Sequence, residues 1–174
     1  MRHSLASAVV KILFDRGLVM LAWMTRRRWL RPFAGALLVV SGRATNLFFG
    51  VRMQSNASAI GREWERTFPS KKIVRITEVV GDTAFGEIHV RCPLRGSGDV
   101  HACWRLMTYD RAIAKAAGAS FVVLHSQAEP GRDYCRVALR ATALPTADLR
   151  AAHERVDTAC ADTPDPAPAP PQKP

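Results

Sequence analysis

An α+β fold, with N-terminal helices packed on a small antiparallel sheet of two hairpins and a central helix between the hairpins, follows from three features of the sequence. Apolar residues recur at helical spacing through the first 68 positions. Two later stretches, 71–92 and 120–141, alternate apolar and polar side chains around turn pairs, and 101–117 between them returns to a helical period. With 174 residues, 48% of them apolar, there is chain enough for one domain with a core of its own. The expected divisions are a helical region at 1–69, a cysteine-containing hairpin–helix–hairpin region with a last helix at 70–161, and a tail at 162–174. The first two form one domain.

Residues 4–24 predict one or two amphipathic helices on Val9, Ile12, Leu13, Leu18, Leu21 and Ala22, with Gly17 as the break. After Arg26, Arg27, Arg28 and Arg31, Pro32 suits the first turn of a second helix. Phe33 to Val40 is almost wholly apolar, and a weaker pattern continues to Val51. A bilayer span wants about 20 apolar residues. Here Ser41, Gly42, Arg43, Thr45 and Asn46 intervene, and a central Arg costs roughly 2.5–3.5 kcal/mol. The pattern therefore predicts a helix buried against the sheet domain, with peripheral membrane contact of residues 17–51 as the alternative. Met53, Ala57, Ile60 and Trp64 predict a third long helix ending near Phe68–Pro69.

Lys71 to Val80 begins the first strand, and Gly81-Asp82 turns it into residues 84–92. Alternation there puts Ile88, Val90 and Cys92 on one face and Phe85, Glu87, His89 and Arg91 on the other. The helix at 101–117 ends at Gly118, with Cys103, Met107, Asp110 and Ala114 on one stripe. A second hairpin pairs 120–127 with 133–141 across Glu129-Pro130-Gly131-Arg132 and groups Cys135, Val137 and Leu139 against Tyr134, Arg136, Ala138 and Arg140. Ala147 to Ala161 reads as a last helix opened by Thr146, and the Pro-, Ala- and Asp-rich residues 162–174 as a disordered tail.

The net charge of +10 and a pI near 10.3 draw much of their excess from the early arginine cluster. Such a cluster can meet nucleic acid, an anionic membrane surface or an acidic substrate. Nucleic acid is not the expected partner, since Trp23, Arg26 to Arg28 and Trp29 give only a weak version of basic residues interleaved with aromatics. Four cysteines without CxxC spacing do not make a disulfide scaffold. Lys11, Asp15 and Arg16 interrupt the early apolar stretch before it reaches the length of a secretory core. Reduced thiols in a cytoplasmic setting, peripheral to a membrane in the alternative, are the expectation.

No Walker loop, GxGxxG, GxSxG or HExxH occurs. The chemistry instead gathers at Cys92, Cys103, Cys135 and Asp110, which strand alternation and helical spacing aim at one interior. The three thiols suit soft metal ligands, completed by His89, His125 or Asp110. They equally suit a nucleophile with Asp110 or a histidine as proton partner, or small apolar groups in a core. A carboxylate on an apolar stripe needs a partner, and a structural one would be Arg111, Arg105 or Arg136. His89 falls on the face opposite Cys92, while His125 shares a face with Phe121 and Val123. Ser126 and Gln127 offer binding groups at a strand end.

The succession of a strand into Cys92-Pro93-Leu94, a helix carrying Cys103 and Asp110, and a hairpin ending in Tyr134-Cys135-Arg136 resembles the L-2-amino-thiazoline-4-carboxylic acid hydrolase family over residues 70–142. The layout is also similar to small-molecule-binding domains of the 4-vinyl reductase type. The resemblance implies hydrolytic opening of a cyclic thioimidate to N-carbamoyl-L-cysteine. A thiolate or a metal-bound water would be the nucleophile and a carboxylate would move the proton. It carries Cys92, Cys103, Asp110 and Cys135 over as catalytic positions. Arg136, Ser126 and Gln127 are the candidate groups for an anionic small-molecule substrate; any metal ion is left unspecified. The competing expectation is a non-catalytic sensor holding a small molecule or a metal in the same interior.

Overall fold

The computed structural model describes residues 16–161, with side chains through 157. Helix α1 covers 16–26, α2 is Arg31–Phe49, and α3 is Ala57–Glu65. Strands β1 (Val74–Val80) and β2 (Thr83–Ile88) follow, then helices α4 (Val100–Leu106) and α5 (Thr108–Ala116). Strands β3 (Ala119–His125) and β4 (Cys135–Ala141) and helix α6 (Ala152–Ala161) complete the chain. The expected apolar positions Val9, Ile12 and Leu13 and the tail at 162–174 lie outside the described residues. Gly17 is helical within α1 and makes no break there.

All four strands join one antiparallel sheet in the order β1-β2-β4-β3, so the two hairpins are its two halves. The first hairpin closes tightly, with Val80 opposite Thr83 and Gly81 at φ 54°. That left-handed backbone is the one a two-residue hairpin loop requires. One sheet face carries α3 and α5, and the other is a polar surface where Arg75 meets Glu87 and Arg136 meets Glu78. Ile60, Trp64, Val74, Ile113, Val137 and Leu139 fill the interior. Gly86 lets α3 lie close, because a Cβ there would stand 3.0 Å from the Trp64 ring.

Several boundaries differ from the expected ones, each for a local reason. Strand β2 stops at Ile88, so Val90 and Cys92 lie in the following segment; Pro93 has no N–H to extend a ladder. The single helix expected at 101–117 is broken at Met107, whose ψ of 8° caps α4 and opens α5. The axis turns there, directing α4 toward α2 and α6 while α5 lies along β3. Asn56 sets the start of α3 by accepting the Ala59 N–H at 2.9 Å, which leaves Met53 outside the helix. Helix α6 begins at Ala152, not Ala147. Its opening is held by Glu154, whose carboxylate accepts the Ala151 N–H at 3.1 Å, and Thr146 only closes a turn to Leu149.

Helix α2 packs on α4 and α5, not on the sheet. Ala34, Leu38 and Gly42 are its buried positions. A Cβ at Gly42 would lie 2.7 Å from the Ala112 Cβ, so only glycine permits this approach to α5. Thr45 then reaches the Tyr109 hydroxyl at 3.0 Å, and Asn46 donates to the Ala112 carbonyl at 3.1 Å. By length and composition α2 is also a candidate membrane span, and most of that stretch faces outward.

A buried thiol cluster as the candidate functional site

Strand alternation turns Cys135 inward from the start of β4, and the stripe on α4 turns Cys103 toward it. Both thiols are about 1% exposed. They act on each other, and Ser126 also acts on Cys103. Cys135 first, and Ser126 after it, hold the Cys103 thiol below its ordinary pKa against the opposing effects of burial and of Asp110 and Glu129. Cys135 moves the other way, well above, through Cys103 first and its own burial after it. Cys92, half-buried, is raised mainly by desolvation, and the Cys103 charge adds to that. All four cysteine and aspartate positions singled out in the sequence thus face one interior.

Asp110 is buried on α5, and its carboxyl is pushed up to about 7, chiefly by desolvation. Its hydrogen bond comes from Trp64 Nε1 at 3.3 Å. None of the arginines considered as its structural partner is bonded to it. Arg105 reaches Asp99, Arg136 reaches Glu78, and Arg111 lies over the Trp104 ring at 4.5 Å. Arg111 nevertheless acts through space on Asp110.

Gln127 is the framework of the site. Its Nε2 donates to the carbonyls of Ile88 (3.2 Å) and Val90 (2.9 Å), and its Oε1 accepts from the backbone N–H of Cys92 (3.3 Å) and from Arg95 Nε (3.2 Å). Its own N–H points to Cys135 Sγ at 3.3 Å. One side chain thereby replaces the ladder that β2 gives up after Ile88 and fixes Cys92 relative to Cys135. Ser126 is set by a reciprocal turn: its N–H donates to Glu129 at 2.6 Å, and its hydroxyl oxygen accepts from Ala128 N–H at 3.0 Å. Arg155 of α6 anchors Glu129 at 3.0 Å.

Arg136 does not join the cluster. Alternation sends it to the outer sheet face, where it pairs with Glu78 and lies 5.4 Å from the Phe85 ring. His89 is likewise outside, bonded to Glu87 and stacked on Tyr134, and His125 touches Arg155 instead of a thiol. Among the described residues, no group of three or more His, Cys, Asp or Glu side chains is arranged to hold a metal ion.

Two of the clefts on the described surface are lined by no cysteine. One, of about 390 Å³, lies on Arg62, Arg66, Pro69 and Lys71. The other, of about 400 Å³, is lined by Trp104, Arg111, Phe121, Val123 and His153 among others. Trp104 and Arg111 adjoin Cys103 and Asp110 in the chain, and Arg111 also feels the Cys103 charge. Burial first, and the His101 and Arg111 charges after it, hold His153 below its ordinary pKa despite nearby carboxylates. Glu129 and Trp64 are the participants that sequence reasoning missed, whereas Arg111 is among the partners expected for Asp110. Ser126 followed at i+3 by Glu129 is the pattern of a reciprocal capping turn and could have revealed the first. Compared with family models, with curated proteins and with solved structures, the chain matches none.

Proposed function

We propose that this chain is a hydrolase of a small cyclic carbon–nitrogen substrate of the L-2-amino-thiazoline-4-carboxylic acid type, with Cys103 as the nucleophile. The observation that carries the reading is the burial of Cys103 beside Cys135 and Ser126, which together lower its pKa. A thiolate is the attacking species in such chemistry. The resemblance of residues 70–142 supplies the reaction class, and the 400 Å³ cleft beside Trp104 and Arg111 has the volume of a small-ligand pocket.

In this mechanism the Arg111 guanidinium, in place of Arg136, takes the substrate carboxylate. The Cys103 thiolate adds to the ring carbon of the C=N bond, and the ring nitrogen gains a proton from Asp110, whose pKa near 7 suits it to hold and release one. The ring carbon–sulfur bond then breaks, and the ring sulfur takes a proton from the exocyclic amino group and leaves as the product thiol. An S-bound isothiourea remains on Cys103. Water adds to its carbon, one of its protons returns to Asp110 and the other converts the imine nitrogen to NH2, and the Cys103 thiolate is released as the carbamoyl product forms. Cys103 is buried in the resting fold, so this step requires a local opening between the cleft and the thiol.

The experiment is to acid-quench the protein during incubation with L-2-amino-thiazoline-4-carboxylate and map adducts by mass spectrometry. The reading expects an added mass on the Cys103 peptide, absent from C103S. Ring opening without any adduct at Cys103 would remove the covalent step. A second reading, a non-catalytic binding module, is favoured by the close packing around the thiols. It expects the ligand to bind in the cleft without turnover and to bind equally well to C103S.

A further inference from the structure

We propose that α1 and α2 form a docking face for an anionic lipid bilayer. This inference is independent of the thiol chemistry. The side of α2 opposite Ala34, Leu38 and Gly42 is apolar and turned to solvent: Phe33 is 66% exposed, Val40 61% and Leu47 85%, with Leu37 between them. Phe33, Leu37, Val40 and Leu47 recur at i, i+4, i+7 and i+14, one face of a helix. Trp23 on α1 and Trp29 in the connection stand beside it, at 50% and 70% exposure. Indole rings flanking an apolar helix face suit the boundary between headgroups and acyl chains.

Charge selects the occupant. Residues 16–62 contain eight arginines and not one Asp or Glu. A second copy of this chain would bring the same cationic face and offer no carboxylate to meet it, whereas an anionic bilayer is complementary to both the apolar stripe and the arginines. Beside the face, at the start of α4, Arg26 at 3.5 Å and Arg105 at 3.8 Å share the carboxylate of Asp99, and Arg31 acts on Arg105. Arg31 Nε is buried with no acceptor among the described residues.

The test is co-sedimentation of the full chain with vesicles of phosphatidylcholine alone and of phosphatidylcholine mixed with phosphatidylglycerol. Binding is expected only to the mixed vesicles and should weaken as salt is raised. Each of R27Q and R28Q should weaken it roughly five-fold. F33S and L37S should abolish it while leaving the melting temperature unchanged, since both side chains are exposed. Absence of binding to either vesicle, equal binding to neutral vesicles, or retention through an alkaline wash would overturn the proposal. So would a dimer that L37S dissociates in the absence of vesicle binding, or saturable binding of inorganic phosphate with no vesicle binding.

Discussion

Trp64 donates its indole N–H to Asp110 Oδ1 at 3.3 Å, joining α3 to α5 against the inner face of the sheet. This neutral donor is a modest partner for a buried carboxylate. Asp110 therefore holds its proton until about pH 7.

A pH dependence follows. The folded pKa of about 7 lies above the ordinary 3.8, so the native state binds this proton more tightly than the unfolded chain does. Asp110 thus stabilises the fold least once it is ionised. Stability attributable to it falls as pH rises between 3.8 and about 7, by on the order of 4 kcal/mol in full. Asp110→Asn keeps the acceptor for Trp64 and removes the titration. Melting temperature against pH should be flatter across that window in the variant and higher than wild type above it; an unchanged slope would show that Asp110 does not govern it.

Ser126→Ala removes one of the two side chains that lower the Cys103 pKa. A hydrogen bond to a charged group is worth about 1.5–3 kcal/mol, so the Cys103 titration should rise by about 1–2 pH units. Thiolate absorbance in the ultraviolet, followed against pH in a variant retaining only Cys103 and its partner Cys135, would measure it.

Gln127→Ala should cost about 2–4 kcal/mol, because the Ile88 and Val90 carbonyls and the Cys92 N–H lose a buried partner together. Hydrogen exchange should quicken selectively in residues 89–99. Uniform loss of protection across the sheet would make Gln127 a general core residue instead.

Gly42→Leu should destabilise by about 1–3 kcal/mol or more, through overpacking where a Cβ already lies 2.7 Å from Ala112. Denaturant unfolding would report it. Gly35, with open space around it, is the control and should accept Ala without loss.

The α+β class, the two hairpins, the tight Gly81-Asp82 turn and the inward set of Cys103, Asp110 and Cys135 were legible because period-2 and period-3.6 patterns state which side chains share a face. What could not be read were relations between elements. Met107 breaks a stripe that continues unbroken in sequence, because the turn there is set by what α4 and α5 each pack against. Helix α2 has an apolar run of the kind that suggests burial, but it packs one narrow side on α5 and leaves the rest outside. Alternation already placed Arg136 on the face opposite Cys135, and the alternative arginine, Arg111, comes to the thiol region only through the packing of α5 against β3. Gln127 looked like one polar residue in a turn; its role depends on backbone carbonyls nearly forty positions earlier.

The central claim is that Cys103 drives ring opening of a small cyclic thioimidate. Its most direct test is thiol release from L-2-amino-thiazoline-4-carboxylate by purified wild-type protein and by Cys103→Ser. The account predicts turnover by the wild type and a loss of at least ~10³-fold in the variant, with its fold retained. No ring opening by the wild type, or equal rates in both proteins, would contradict it.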